Sequence, residues 1–284
     1  MELGKYSYMA EATALFRAAH QLFDDDPKIL DDPLAFTLLG PDTEQTLYAE
    51  LERHSSWHAK RARTLAVVRS RYTEDQLAAA IDRGVTQYVI LGAGLDTSPY
   101  RPGHPGETAR TYEVDHPDTQ AWKLERLAEA GIEIRANLKH IAVDFERQSL
   151  LDGLTTHGFD MTQPAFFSWL GVIYYLHPEA SIETCRQVAS CVPGSQLVLD
   201  FVVSDAVLTR SEREAVEKIT AFVKTRGEPW LSRFSPDELE TLLRDVGFGE
   251  VDYFSRERAT ATYLKDRTDG LSLDPAIQLM SAVV

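Results

Sequence analysis

A short apolar segment that ends in two glycines constrains the fold of this chain more than any other feature. Residues 88–91 read Tyr-Val-Ile-Leu and lead into Gly92-Ala93-Gly94. This pattern predicts a buried strand followed by a turn that lets another molecule approach the backbone. About twenty residues later, a second strand is predicted to end in Asp115, where a βαβ unit places an acid that binds ribose hydroxyls. The two features together predict a nucleotide-like ligand.

The glycine turn departs from the dinucleotide fingerprint G-x-G-x-x-G. Thr97 occupies the position of the third glycine, and Asp96 brings a negative charge into the same turn. A pyrophosphate would be repelled there, whereas S-adenosyl-L-methionine contains adenosine without phosphate and carries a sulfonium and an amino group. The residues therefore favour S-adenosyl-L-methionine over NAD as cofactor. A glycine turn with a purely structural role is the alternative.

The sequence after Asp115 alternates between strand-like and helix-like segments, which is typical of a parallel sheet with crossover helices. Strands are predicted at 140–143, 164–170 and 196–203, helices at 122–130, 178–191 and 236–246, and a closing antiparallel pair at 251–254 and 260–264. Ligands bind such sheets at the carboxyl ends of the strands. Asp144, Phe145 and Leu170 fall at these ends, and Asp144 with Phe145 is suited to bind and cover an adenine ring.

The first 80 residues are helical in pattern and are predicted to form an N-terminal cap and a lead-in helix. Residues 81–284 are predicted to form the cofactor-binding core of the same integrated domain. A basic stretch lies at residues 57–80 and contains Lys60, Arg61, Arg63, Arg69 and Arg71. Such a stretch is either a solvated helix face or the source of an arginine that binds the cofactor carboxylate.

Composition excludes several classes of partner. A net charge of −15 argues against nucleic acid and against an anionic membrane surface, since both would repel the protein. Cys185 and Cys191 have neither disulfide nor metal-ligand spacing, so we expect no metal and a reducing cytoplasm. No leader pattern and no apolar span of ~20 residues is visible. These features predict a cytoplasmic enzyme for a small molecule, and they specify no oligomeric state.

Six segments resemble the bacterial branch of the leucine carboxyl methyltransferase family of class I S-adenosylmethionine-dependent methyltransferases. They are Arg17-Ala18, Arg69-Ser70-Arg71, VILGAGLDT, YEVDHP, AVDFE and FFSWLGVIYYL. The resemblance implies a Rossmann-like α/β fold with a seven-stranded, mostly parallel sheet, an antiparallel last strand and an N-terminal helical cap. It also implies cofactor contacts at the carboxylate, methionyl, ribose and adenine groups, from Arg69, Gly92, Asp115 and Asp144 with Phe145, respectively. Ala93, Gly94, His116 and Leu170 are predicted to border the same cofactor.

The resemblance is weaker on the acceptor side. Eukaryotic members carry a glutamate where this chain has Leu170. We therefore interpret the resemblance as a statement about fold and cofactor rather than about protein-phosphatase methylation.

The methyl acceptor is expected to be a small molecule, methylated on a carboxyl or hydroxyl oxygen in bacterial secondary metabolism. A carboxylate is already nucleophilic, whereas a hydroxyl benefits from a general base. His20 is predicted as that base, with an ordinary packing histidine as the alternative. Arg17 is predicted to bind an acidic substrate or to form a surface salt bridge, and Tyr175 to face the acceptor while Tyr174 packs in the core. N- or C-methylation and non-catalytic cofactor binding remain alternatives.

Overall fold

The computed structural model describes residues 7–284, which form a central sheet with helices on both faces. The strands are β1 (Gln87–Leu91), β2 (Arg110–Asp115), β3 (Leu138–Ala142), β4 (Ala165–Trp169), β5 (Gln196–Val202), β6 (Glu250–Phe254) and β7 (Ile277–Val283). Their order is β3-β2-β1-β4-β5-β7-β6, with β7 antiparallel to both of its neighbours. The predicted seven-stranded, mostly parallel sheet with an antiparallel last strand is confirmed.

Eleven α-helices are found in the part of the chain from residue 7 onward. They are α1 (Tyr8–Phe23), α2 (Leu34–Leu39), α3 (Thr43–Ala49), α4 (Leu51–Ser55), α5 (Trp57–Asp82), α6 (Pro117–Glu129), α7 (Leu150–Thr156), α8 (Pro178–Ala189), α9 (Arg210–Thr225), α10 (Pro236–Val246) and α11 (Arg256–Tyr263). Within residues 7–284, none of these helices combines the length and apolar character needed to cross a membrane.

The centre of the sheet explains the continuous apolar runs in the sequence. Every residue of β1, β4 and β5 is buried, because helices cover both faces of these strands. Strand β1 pairs with β2 on one side and with β4 on the other, so the strand order reverses at β1. Ligands bind open α/β sheets in the crevice at such a reversal, outside the carboxyl ends of the strands.

The predicted strand at residues 260–264 is wrong, since residues 260–263 belong to helix α11 and Leu264 follows its end. Ser255 caps that helix by accepting a hydrogen bond from the backbone N–H of Arg258. The partner of β6 is β7, which begins at Ile277. The serine cap starts a helix here, and the pairing with β5 is made by the longer apolar strand β7.

Helix α1 packs against α5 and α2, and three small residues on its buried side allow a close approach. Ala14, Ala18 and Ala19 are 0% exposed.

Near the other end of the chain, Arg267 donates to the backbone carbonyls of Pro27 and Asp25, and Lys60 donates to that of Asp269. We call residues 267–269 the C-terminal clasp. The first and last parts of the chain are thus joined by direct hydrogen bonds.

Candidate active site

A cavity of ≈ 1470 Å³ opens at the carboxyl ends of β1, β2 and β4 and is enclosed by α1, α5 and α9. Its volume exceeds the ~300–1,000 Å³ of ordinary ligand pockets, so it has room for a cofactor and an acceptor together. Most predicted site residues line this cavity: Arg17, Arg69, Gly92, Ala93, Gly94, Asp115, His116, Asp144, Phe145, Leu170 and Tyr175. His20 is absent from the lining.

The glycine turn after β1 is built for close approach. Gly92 has φ 71° and Gly94 has φ 46°, a backbone region that other residues rarely adopt. A Cβ at Gly92 would lie 2.2 Å from Cγ2 of Val172, and one at Gly94 would lie 3.1 Å from Cβ of Ala10. The turn therefore touches the loop after β4 on one side and α1 on the other, and larger residues would block the cavity floor.

Asp115 is fixed beside this turn by two backbone donors. Its Oδ2 accepts from the Gly94 N–H at 2.5 Å, and its Oδ1 accepts from the His116 N–H at 2.7 Å. Burial raises the pKa of Asp115 to about 6, although both hydrogen bonds act in the opposite direction. The carboxylate is oriented at the cavity wall and keeps lone pairs for ribose hydroxyls, which fits the predicted role.

Cofactor affinity is expected to fall as the pH drops through about 6, where Asp115 takes up a proton. Ribose hydroxyls bind the charged carboxylate better, so affinity should be level above that pH and should fall by up to about tenfold per unit below it. Calorimetric titration with S-adenosylhomocysteine, the demethylated product, between pH 5 and 8 measures the effect. The Asp115→Asn variant should lose this slope. A flat profile in the unmodified protein would contradict the assignment.

Arg69 reaches the cavity from α5 and is held by a buried carboxylate. Its Nη1 donates to Oδ2 of Asp200 at 2.8 Å, while its Nη2 has only a long contact of 3.5 Å with Oγ1 of Thr13. Burial alone would lower the pKa of Arg69, but Asp200 raises it above the ordinary value, so the guanidinium stays charged. Nη2 is the donor that remains for a ligand carboxylate.

The other basic residues of α5 serve the fold. Arg63 is buried and donates to both oxygens of Asp24, at 2.7 and 2.6 Å. Arg61 donates to the carbonyl of Leu273, and Arg71 makes an exposed pair with Asp75. The solvated-face interpretation thus suits only part of the stretch.

The residues predicted to contact adenine lie at the rim. Oδ1 of Asp144 accepts from the Glu146 N–H at 3.0 Å, and the Phe145 ring lies 6.3 Å from that of Trp169. Nδ1 of His116 accepts from the Asp118 N–H and so caps α6. The contacts of Asp144, Phe145 and His116 with a cofactor remain predictions.

Arg17 and His20 differ from expectation. Arg17 is buried and donates to Oδ2 of Asp32 at 2.8 Å and to the Leu95 carbonyl at 2.6 Å, so its guanidinium is committed to the fold. His20 is 0% exposed; its Nδ1 bonds Asp24 and its Nε2 accepts from the Ile29 N–H. The expectation that His20 faces the acceptor is wrong, because this face of α1 packs against α5 and residues 29–32.

An aromatic surface also lines the cavity. We call it the aromatic wall, and its members are Phe16, Tyr174, Tyr175, Phe222 and Trp230. The Tyr174 ring lies 4.8 Å from Tyr175 and 5.6 Å from Trp230. Burial raises the pKa of Tyr175, so its hydroxyl stays neutral and can donate to an acceptor oxygen. Both tyrosines line the cavity, although only Tyr175 is predicted to do so.

Sequence reasoning missed two residues at this site. Trp230 follows α9 and carries no local signal. Asp200 does carry one, since it is a lone carboxylate in the otherwise apolar strand β5. A charge in a buried strand needs a buried partner, which points to Arg69.

Comparison with known proteins gives consistent matches. The leucine carboxyl methyltransferase family model matches residues 10–189. The chain is 30% identical over 304 residues to YktD of Bacillus subtilis, covering 100% of this chain and 99% of YktD. It is 34% identical over 274 residues to a Mycolicibacterium paratuberculosis protein, covering 94% of each. Both relatives are named, provisionally, as S-adenosyl-L-methionine-dependent methyltransferases.

Solved structures show the same fold at low identity. One is a provisionally assigned methyltransferase from Thermobifida fusca, with a TM-score of 0.58 and 19% identity, covering 99% of this chain and 96% of that one. Another is a DUF574 family protein from Streptomyces avermitilis, with a TM-score of 0.59 and 14% identity, covering 96% of both chains.

Proposed function

This chain belongs to the leucine carboxyl methyltransferase family of S-adenosyl-L-methionine-dependent methyltransferases, and we propose that it methylates a carboxyl or hydroxyl oxygen of a small molecule. The observation that carries the proposal is the composition of one cavity. Arg69, the glycine turn, Asp115 and the aromatic wall all line it, and Nη1 of Arg69 lies 3.4 Å from the hydroxyl of Tyr174.

The cofactor fits the floor of the cavity by the chemistry of its residues. Arg69 would hold the methionyl carboxylate, Gly92 would leave room for the methionyl chain, and Asp115 would bind the ribose. Asp144 and Phe145 would bind the adenine. The bound cofactor supplies an electrophilic methyl group, and the protein contributes alignment of the acceptor and exclusion of water.

Two carboxylates of the cavity wall, Glu228 and Asp274, are already engaged by the protein itself, which makes them poor partners for an amine acceptor. Oε2 of Glu228 accepts from the Met9 N–H at 3.1 Å. Oδ1 of Asp274 accepts from the Ala276 N–H, and its Oδ2 lies 3.8 Å from Nε of Arg61. An amine would be attracted by an unpaired carboxylate. A carboxyl or hydroxyl acceptor needs none.

A carboxyl acceptor is the simpler case, because it needs no general base and His20 is not placed to act as one. With both ring nitrogens bound, His20 cannot take a proton from an acceptor in the cavity. A carboxylate reacts without such a base. We further propose a role in bacterial secondary metabolism in the cytoplasm, with no nucleic-acid or membrane partner. The net charge of −15 and the buried free thiols of Cys185 and Cys191 support this setting.

A product analysis tests the proposal. The protein is incubated with methyl-labelled cofactor and with aromatic carboxylic acids, each matched by the corresponding alcohol and amine. We expect label in the acid series, released as methanol by mild base because the product is an ester. Base-stable label in the amines would favour N-methylation. Cofactor binding without turnover across the whole panel would favour a non-catalytic protein.

A further inference from the structure

Asp200 is the buried carboxylate behind the proposed cofactor site. It lies on β5, is 0% exposed and does not itself line the cavity. Its Oδ2 accepts from Nη1 of Arg69 at 2.8 Å, and its Oδ1 accepts from the Gly171 N–H at 2.6 Å. One side chain therefore holds both the arginine and the loop that follows β4.

This arrangement leaves little freedom around Arg69. Gly171 has φ 76°, and a Cβ there would lie 3.0 Å from Nη2 of Arg69. The next residue, Val172, is the one that touches the glycine turn at Gly92. Asp200 thus connects the arginine, the loop after β4 and the turn after β1 in one rigid unit.

The pair of Arg69 and Asp200 also has zero net charge in a buried setting, where charges act strongly on one another. A carboxylate was not needed merely to satisfy the Gly171 N–H, because a neutral acceptor would do so at a smaller desolvation cost. The negative charge of Asp200 is instead suited to balance Arg69 beside a ligand that is itself a cation.

We propose that Asp200 is a positioning residue that aims Arg69 at the methionyl carboxylate and sets the charge balance of the site in favour of the sulfonium cofactor. The inference rests on the cofactor placement in the proposed function. S-adenosyl-L-methionine carries one more positive charge than S-adenosylhomocysteine. Asp200 therefore raises the affinity for the methyl donor relative to the affinity for its product.

The Asp200→Asn variant tests this by binding rather than by activity. Calorimetry gives the Kd of each ligand, and the ratio of donor Kd to product Kd reports the charge effect. Loss of the buried negative charge should raise this ratio on the order of tenfold. A role in shape alone would weaken both ligands equally and leave the ratio unchanged.

Asp24→Asn is a matched control. Asp24 also forms a buried pair with an arginine, Arg63, and neither residue lines the cavity. This variant should lower the unfolding temperature but leave the ratio of the two dissociation constants as it is in the unmodified protein. A similar rise of the ratio in Asp24→Asn would overturn the proposal.

Arg69→Gln provides a second measurement should Asp200→Asn fail to fold. This change removes the side chain that binds the methionyl carboxylate of both ligands, so both affinities fall. It also leaves the negative charge of Asp200 without a counter-charge, so the ratio of donor Kd to product Kd should decrease. If the ratio of donor Kd to product Kd is unchanged in the variants that fold, the proposal is wrong. If the unmodified protein bound neither ligand, the cofactor placement itself would be refuted, so the two failures are distinguishable.

Discussion

Replacing Asp115 by alanine is expected to weaken binding of S-adenosyl-L-methionine by about a hundredfold or more. Two ribose hydroxyls would lose a charged acceptor worth about 1.5–3 kcal/mol per hydrogen bond. The same change removes the acceptor of the Gly94 and His116 N–H groups, so the glycine turn also loses its support. Calorimetric titration of the purified variant measures the dissociation constant.

Asp160→Ala is the control for this experiment. Asp160 is a carboxylate that accepts from the backbone N–H and the hydroxyl of Thr162 in a turn, but it lies outside the cavity lining. Its loss should leave cofactor affinity unchanged. An Asp115→Ala protein that is folded and binds the cofactor as tightly as the unmodified protein would remove Asp115 from the site.

Replacing Asp32 by alanine is expected to lower the free energy of unfolding by about 3–5 kcal/mol, the usual cost of stranding a buried charge. Asp32 is 0% exposed, accepts from Nε of Arg17 at 2.8 Å and from Oγ1 of Thr97 at 2.7 Å. Without it the Arg17 guanidinium is uncompensated, and α1 loses one link to the turn after β1. Urea unfolding followed by circular dichroism gives the number.

The neighbouring residue supplies the control. Asp31 is exposed, and alanine there should change the free energy of unfolding by no more than about 0.5 kcal/mol. Equal stabilities of the Asp32→Ala and Asp31→Ala proteins would show that the buried network does not hold the cap in place. Because this network reaches Thr97, we also expect weaker cofactor binding in Asp32→Ala.

Much of the sheet was predictable because its signals are local. A few neighbouring residues are enough to predict the buried strands β1, β4 and β5 and the glycine turn at residues 92–94. The last strand was not predictable in the same way. Segment 260–264 resembles a strand by composition, and only the serine cap and the pairing of β7 with β5 decide against it.

The site shows the same division between local and distant causes. Asp115 is the last residue of β2 and lies at a characteristic distance along the chain from the glycine turn, so its position could be read from spacing. The surroundings of Arg17 and His20 depend on Asp32, Asp24 and Ile29, which approach only after the cap has folded. Both residues lie on the buried side of α1, and the sequence of that helix does not tell what this side covers.

The C-terminal clasp bears on how this protein is made and how it can evolve. Its hydrogen bonds join residues 25–27 to residues 267–269, at separations of 240 and 242 positions in the chain. During synthesis the first helices must wait for nearly the whole polypeptide before these bonds can form, and closing so long a loop slows folding. For the same reason the N-terminal helices cannot be exchanged for those of a relative without regard to the C-terminal clasp. A chimera that takes α1 and α2 from a relative should fold well only if the segment between them still presents its two carbonyls to Arg267.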